Sequence, residues 1–120
     1  MTSQRPSHRV EQVADSVRCE LSRLLLFSVK DPKLRHVTIT QVRMTADLKE
    51  ARIFYDWEGP KRERVDIEQS LEHAAPFLRH ELAQTLTFKF VPRLFFHFDE
   101  TRLLHDRATE LLGEVSDDDK

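Results

Sequence analysis

The chain has 120 residues, of which 39% are hydrophobic and 33% charged, with a net charge of −2 and one cysteine. That length and apolar content suit a single domain around one core, more highly charged than the globular average of about 25%. The lone Cys19 excludes an internal disulfide and suits a reducing compartment, and no run reaches the roughly eighteen apolar residues that read as a membrane span. Residues 1–10 carry no apolar signal-peptide region, so the expected location is cytoplasmic.

The charge is unevenly spread. Residues 1–44 hold eight Lys/Arg against four Asp/Glu, while residues 99–120 hold three against eight. The acidic end closes on Asp117, Asp118 and Asp119, a solvated stretch that adds nothing to a core. The expected organisation is a flexible arm over residues 1–6, one domain over 7–113 and an acidic, disordered tail over 114–120.

Along the chain, the arm carries Arg5 and ends at Ser7, a candidate helix cap. Val10, Val13, Ala14, Val17, Leu21, Leu24 and Leu25 then recur at helical spacing, giving an amphipathic helix of about five turns. Cys19 lies off that stripe and reads as a structural residue. Asp31-Pro32 ends the helix, because proline cannot continue it and the preceding residue is biased to extended backbone. The loop that follows holds Lys30, Lys33 and Arg35 within six residues, the densest basic spot on the chain.

Residues 37–45 alternate as a strand, but the apolar phase moves from Val37 and Ile39 to Val42 and Met44. A bulge near Gln41 accounts for that shift. After a turn at Ala46-Asp47-Leu48-Lys49, residues 50–57 form a second strand with Ala51, Ile53, Tyr55 and Trp57 on one face. The short connection makes the pair an antiparallel hairpin. Tyr55 and Trp57 read as core or edge anchors.

Ile67, Leu71, Ala74, Leu78 and Leu82 set a second helical stripe, interrupted by Pro76. Proline removes a backbone donor and crowds the carbonyl of Glu72, so two helical pieces meeting in a kink at Ala74-Ala75-Pro76 are expected. Such a bend is either a corner of the core or a docking point for a backbone or phosphate, since a helix N-terminus offers free N–H groups. Residues 93–98 alternate as a third strand just after Pro92. Asp99 is placed to cap a last helix through Leu103, Leu104, Ala108, Leu111 and Leu112, ended by Gly113. One apolar face per strand requires helices over one face of a three-stranded sheet, an α+β domain in two layers.

The six histidines are scattered, with no pair three or four residues apart, so no metal site is expected. Two glycines make no phosphate cradle, and neither a nucleophile elbow nor a P-loop is present. The expectation is a protein without catalysis, metal or cofactor.

Arg9-Val10 opening a helix, Val29-Lys30-Asp31-Pro32-Lys33-Leu34, Val37-Thr38-Ile39-Thr40, Asp47-Leu48 and Val91-Pro92 before Leu94-Phe95-Phe96 together resemble the ribosome-binding factor A family of bacterial small-subunit assembly factors. The resemblance covers roughly residues 5–112, and the Lys-Asp-Pro-Lys-Leu block followed by Val-Thr-Ile-Thr is its most specific part. It implies a type II KH-like fold, in which a helix kinked at Ala-x-Gly replaces the Gly-x-x-Gly loop. Ala74-Ala75-Pro76 stands at that place here, keeping the first alanine and losing the glycine with its freedom at positive φ and its bare N–H.

The resemblance further implies binding to immature 30S subunits and 16S rRNA, help with late rRNA processing and subunit maturation, and importance in the cold. Neighbouring ribosomal proteins and other assembly factors are the further expected contacts, and the protein is expected to act as a monomer. Candidate phosphate contacts are Arg5, Arg9, Lys30, Lys33 and Arg35, followed by Arg79, Lys89 and Arg93. The competing expectation is a module that docks another protein on its hairpin or sheet edge, without direct RNA binding.

Overall fold

A computed structural model describes residues 8–101 of the chain. The expected arm over residues 1–6, the acidic tail over 114–120, and the last helix through Leu103 and Leu112 lie outside the described residues, as does Ser7.

Helix α1 spans His8–Phe27. Its stripe Val10, Val17, Leu21, Leu24 and Leu25 is buried as the periodicity predicts, with Val13 and Ala14 half-buried beside it. Glu20 lies on the buried side too. Its carboxylate accepts from the Arg23 guanidinium and from the Thr85 hydroxyl at 3.3 Å, which ties α1 to the far end of the second helix. Cys19 is exposed.

The chain does not run as an open loop after α1. Residues Pro32–His36 form a short 3₁₀ helix, capped by Asp31, whose carboxylate accepts from the Lys33 N–H at 3.0 Å. Pro32 suits the first turn, where its missing N–H has no partner to lose.

Strand β1 (Val37–Met44) and strand β2 (Glu50–Trp57) pair antiparallel, with the register shifting between Ile39 and Gln41. The expected bulge is therefore present, and it lets Ile39 and Val42 both face the core. In the turn, Asp47 accepts from the Thr45 hydroxyl at 2.7 Å and the Lys49 N–H at 3.0 Å. These bonds hold its carboxyl below the usual aspartate range. Leu48 sits at φ 63°, a left-handed conformation that costs a leucine on the order of 1 kcal/mol.

Helix α2 spans Arg64–Thr85 without interruption and carries Pro76 inside it. The expected division into two helical pieces at Ala74-Ala75-Pro76 is thus corrected: one helix replaces the pair. Two physical reasons are visible. Ile67 and Leu71 before the proline, and Leu78 and Leu82 after it, are all buried in one core, so packing on both sides of the proline keeps the helix continuous. Pro76, Glu72 and His73 are exposed, so the proline sits on the solvent side of α2, where water can replace the donor it removes.

Helix α2 is the crossover that a parallel pair needs, and strand β3 (Arg93–Phe98) pairs parallel with β2. The sheet order is β1-β2-β3, with β2 central. Ala51, Ile53, Tyr55 and Trp57 of β2 and Phe96 of β3 face the helices, while Arg43, Arg52, Arg93 and His97 face away and are exposed. The fold is the expected two-layer α+β arrangement, with helices over one face of a three-stranded sheet. Asp99 accepts from the Thr101 N–H at 2.9 Å, the contact expected of a cap.

Candidate nucleic-acid interface

The 3₁₀ helix presents the basic spot. Leu34 is fully buried and anchors this short segment, so its neighbours Lys33 and Arg35 are turned outward. Lys30, Lys33 and Arg35 are all exposed, and none makes an ion pair among the described residues. The end of α1 closes against them through Ser28 N–H and Val29 N–H, both donating to Leu24 O at 2.8 and 3.0 Å.

A cleft of about 610 Å³ opens between this segment and the first half of α2. Lys30, Lys33, His73, Ala74 and Phe77 line it, together with Asp31 and Asp66. The fold therefore brings Lys30 and Lys33 to Ala74, as an interface built from both stretches requires. The small Ala74 leaves room there, while Phe77 offers an exposed ring. Pro76 does not line the cleft, and Ala75 borders a separate hollow of about 430 Å³ against β3. The lysines share the cleft with two carboxylates, whereas Arg35 stands outside it.

The other candidates lie apart from this cleft. Arg9 is exposed in the first turn of α1, roughly 27 Å along the helix from its last residue. Arg5 is outside the described residues. Arg79 has a different role, since its Nε donates to Pro92 O and its Nη to Val91 O, each at 3.0 Å. The planar fork clamps the segment leading into β3. Arg93 is exposed at the start of β3 and Lys89 in the segment leading into it; the Lys89 ammonium lies 5.7 Å from the Phe90 ring centre and Arg93 5.2 Å from that of Phe95. Lys49 joins them, its ammonium 5.4 Å from the same Phe90 ring and its carbonyl accepting from the Arg93 N–H.

His73, Phe77 and Lys49 escape the sequence reading. Phe77 left a signal, an aromatic residue set off the buried stripe of α2 and 40% exposed. Lys49 left none, because only the pairing of β3 beside β2 brings it to Arg93.

Among the described residues, no group of three or more His, Cys, Asp or Glu side chains is placed to hold a metal ion. No helix of that region is long and apolar enough to cross a membrane.

Comparison with known proteins agrees with this architecture. Residues 9–112 match the sequence model of the family described as ribosome-binding factor A. The ribosome-binding factor A of Geobacter sulfurreducens is 35% identical over 108 residues, covering 90% of this chain and 92% of that one. In three dimensions, the crystal structure of ribosome-binding factor A from Thermus thermophilus superposes with a TM-score of 0.66 at 19% identity, over 74% of this chain and 93% of that one. A homology model of the Thermus thermophilus factor, fitted into a cryo-EM map of a 30S complex, gives a TM-score of 0.60 at 20% identity, over 72% and 90% of the two chains. These structures share the fold. The sequence match, running through nearly the whole described region, places this chain in the ribosome-binding factor A family.

Proposed function

We propose that this protein is a non-catalytic assembly factor that binds the immature 30S subunit through 16S rRNA and leaves when maturation is complete. The observation that carries this reading is the family match over residues 9–112. The Thermus thermophilus factor, placed in a map of its 30S complex, supports it. Within this reading the protein assists late rRNA processing, matters most in the cold, and acts in the cytoplasm as a monomer beside ribosomal proteins and other assembly factors.

Exposed cations without ion-pair partners suit a contact made through phosphates. Phosphate contacts supply affinity and position without reading sequence, so RNA shape and neighbouring proteins select the site. Lys30 and Lys33 are assigned to phosphates at the mouth of the cleft, with Arg35 beside it. Arg5, Arg9, Lys89 and Arg93 are further contacts, while Arg79 acts through the segment it clamps. The acidic 114–120 tail repels RNA elsewhere.

The test is the double neutralisation Lys30→Gln/Lys33→Gln, read by small-subunit binding against salt. Loss of two phosphate contacts lowers the log–log salt slope by about 1.5. An unchanged slope and affinity would remove the cleft from the interface.

A further inference from the structure

The geometry points to a second nucleic-acid surface, on the face of the sheet opposite the helices, that takes unpaired, single-stranded RNA. It extends the assembly-factor reading to a surface remote from the cleft, and its primary test needs no ribosome.

The pairing registers set two rows across this face. Arg43 stands opposite Arg52, and Arg52 opposite Phe95. The next row runs Gln41, Phe54, His97. Arg43 lies over the Phe54 ring at 5.9 Å, Arg93 over Phe95 at 5.2 Å, and Phe54 and His97 sit 5.5 Å apart. Two phenyl rings are thus interleaved with three guanidinium groups. Lys49 and Lys89 flank the same end of the sheet over Phe90, which is 54% exposed.

The Arg43–Arg52 pair is the telling feature. Like charges directly opposite in adjacent strands destabilise a sheet. Among the described residues neither arginine has an ion-pair partner. The carboxylates on this face are unevenly placed. Glu50 stands at the register of Arg93, whereas Asp56 and Asp99 gather at the far end, where Asp99 accepts from the Thr40 hydroxyl. An anion seated between Arg43 and Arg52 relieves their repulsion.

Rings at spacings set by the sheet favour a nucleic acid over an acidic protein. Phe54 and Phe95 lie one strand apart and two residues along, so roughly 8 Å separates their Cα atoms. Bases stack on such rings or on guanidinium planes, while phosphates meet the arginines. A duplex hides its base faces and gains nothing from the rings, so the occupant is an unpaired strand.

The test uses the full chain and a short fluorescein-labelled oligouridylate, followed by anisotropy across a salt series, with an RNA hairpin duplex as comparison. Arg43→Gln/Arg52→Gln is expected to lower the salt slope for the oligouridylate by about 1.4. Because it removes a like-charge pair, it is expected to melt at or above the wild type, which separates binding from folding. Phe54→Leu is expected to weaken the oligouridylate by at least about fivefold, with little effect on the duplex. Lys30→Gln/Lys33→Gln, in the cleft, is expected to add to these losses rather than replace them.

Oligouridylate binding unchanged in the arginine and phenylalanine variants would overturn the proposal, whatever the cleft variant does. So would a wild type that ignores the oligouridylate. Weakened small-subunit binding in the arginine variant without weaker oligouridylate binding would assign the face to a ribosomal protein, and likewise overturn it.

Discussion

Replacing Pro76 by alanine tests how α2 survives its proline. A proline inside a helix is about 3 kcal/mol less favourable than alanine. Part of that penalty is returned by the unfolded chain, which proline stiffens by about 0.4–1 kcal/mol. The site adds no packing loss, because Pro76 is exposed and the buried stripe on either side is made by Leu71 and Leu78. Alanine also supplies the N–H that the Glu72 carbonyl lacks. The net expectation is a gain of about 2 kcal/mol, which for a chain of this size raises the melting temperature by roughly 5–10 °C. Thermal and urea melts of wild type and Pro76→Ala measure it. Small-subunit binding is expected to persist, since Ala74 and not Pro76 lines the cleft. A variant that melts at or below the wild type would refute the reasoning. It would mean that the core needs the distortion proline imposes, and that the buried stripe does not simply override it.

Three further outcomes follow from the packing. Arg79→Gln removes a guanidinium fork from two part-buried carbonyls and is expected to cost about 1–3 kcal/mol, with faster amide exchange at the start of β3. Arg79→Lys is expected not to rescue it, because one ammonium cannot reproduce the fork. Gly59→Ala places a methyl group into the indole ring of the buried Trp57 and is expected to destabilise by about 1–3 kcal/mol, visible as a lower urea midpoint and altered tryptophan fluorescence. The Arg23 guanidinium holds the Glu20 carboxyl below the usual glutamate range, against the opposing effect of burial and with help from Thr85. A lowered folded-state pKa contributes stability that is present above the unfolded value and is lost as pH falls through the folded one. Melts below the ordinary glutamate value are therefore expected to fall more steeply for the wild type than for Glu20→Gln.

Local signals in the chain carried the elements well. The slip of apolar phase between Ile39 and Val42 marked the β1 bulge, and the alternation Leu94, Phe96, Phe98 marked β3 at its observed bounds. What escaped depends on residues far apart in sequence. The local rule for proline sees only its own turn, and burial of Ile67, Leu71, Leu78 and Leu82 in one core outweighs it. In sequence Arg79 reads as a free cation, because its carbonyl partners lie 12 and 13 residues away in a segment without regular structure. Alternation turned Arg43 and Arg52 outward. Only the parallel pairing of β3 with β2 sets Phe95 beside them. For the cleft, the basic spot was legible from its density of lysine and arginine. Its opposite wall of His73, Ala74 and Phe77 needed the helices to meet.

The central claim is small-subunit binding through phosphates. It is tested most directly by sedimenting the purified protein with separated small subunits, large subunits and whole ribosomes across a salt series, immature small subunits included. The account predicts selective pelleting with small subunits that weakens steeply as salt rises, by roughly 0.7–0.9 of log–log slope for each phosphate contact. Absence of binding to every particle at low salt, or binding indifferent to salt, would contradict it.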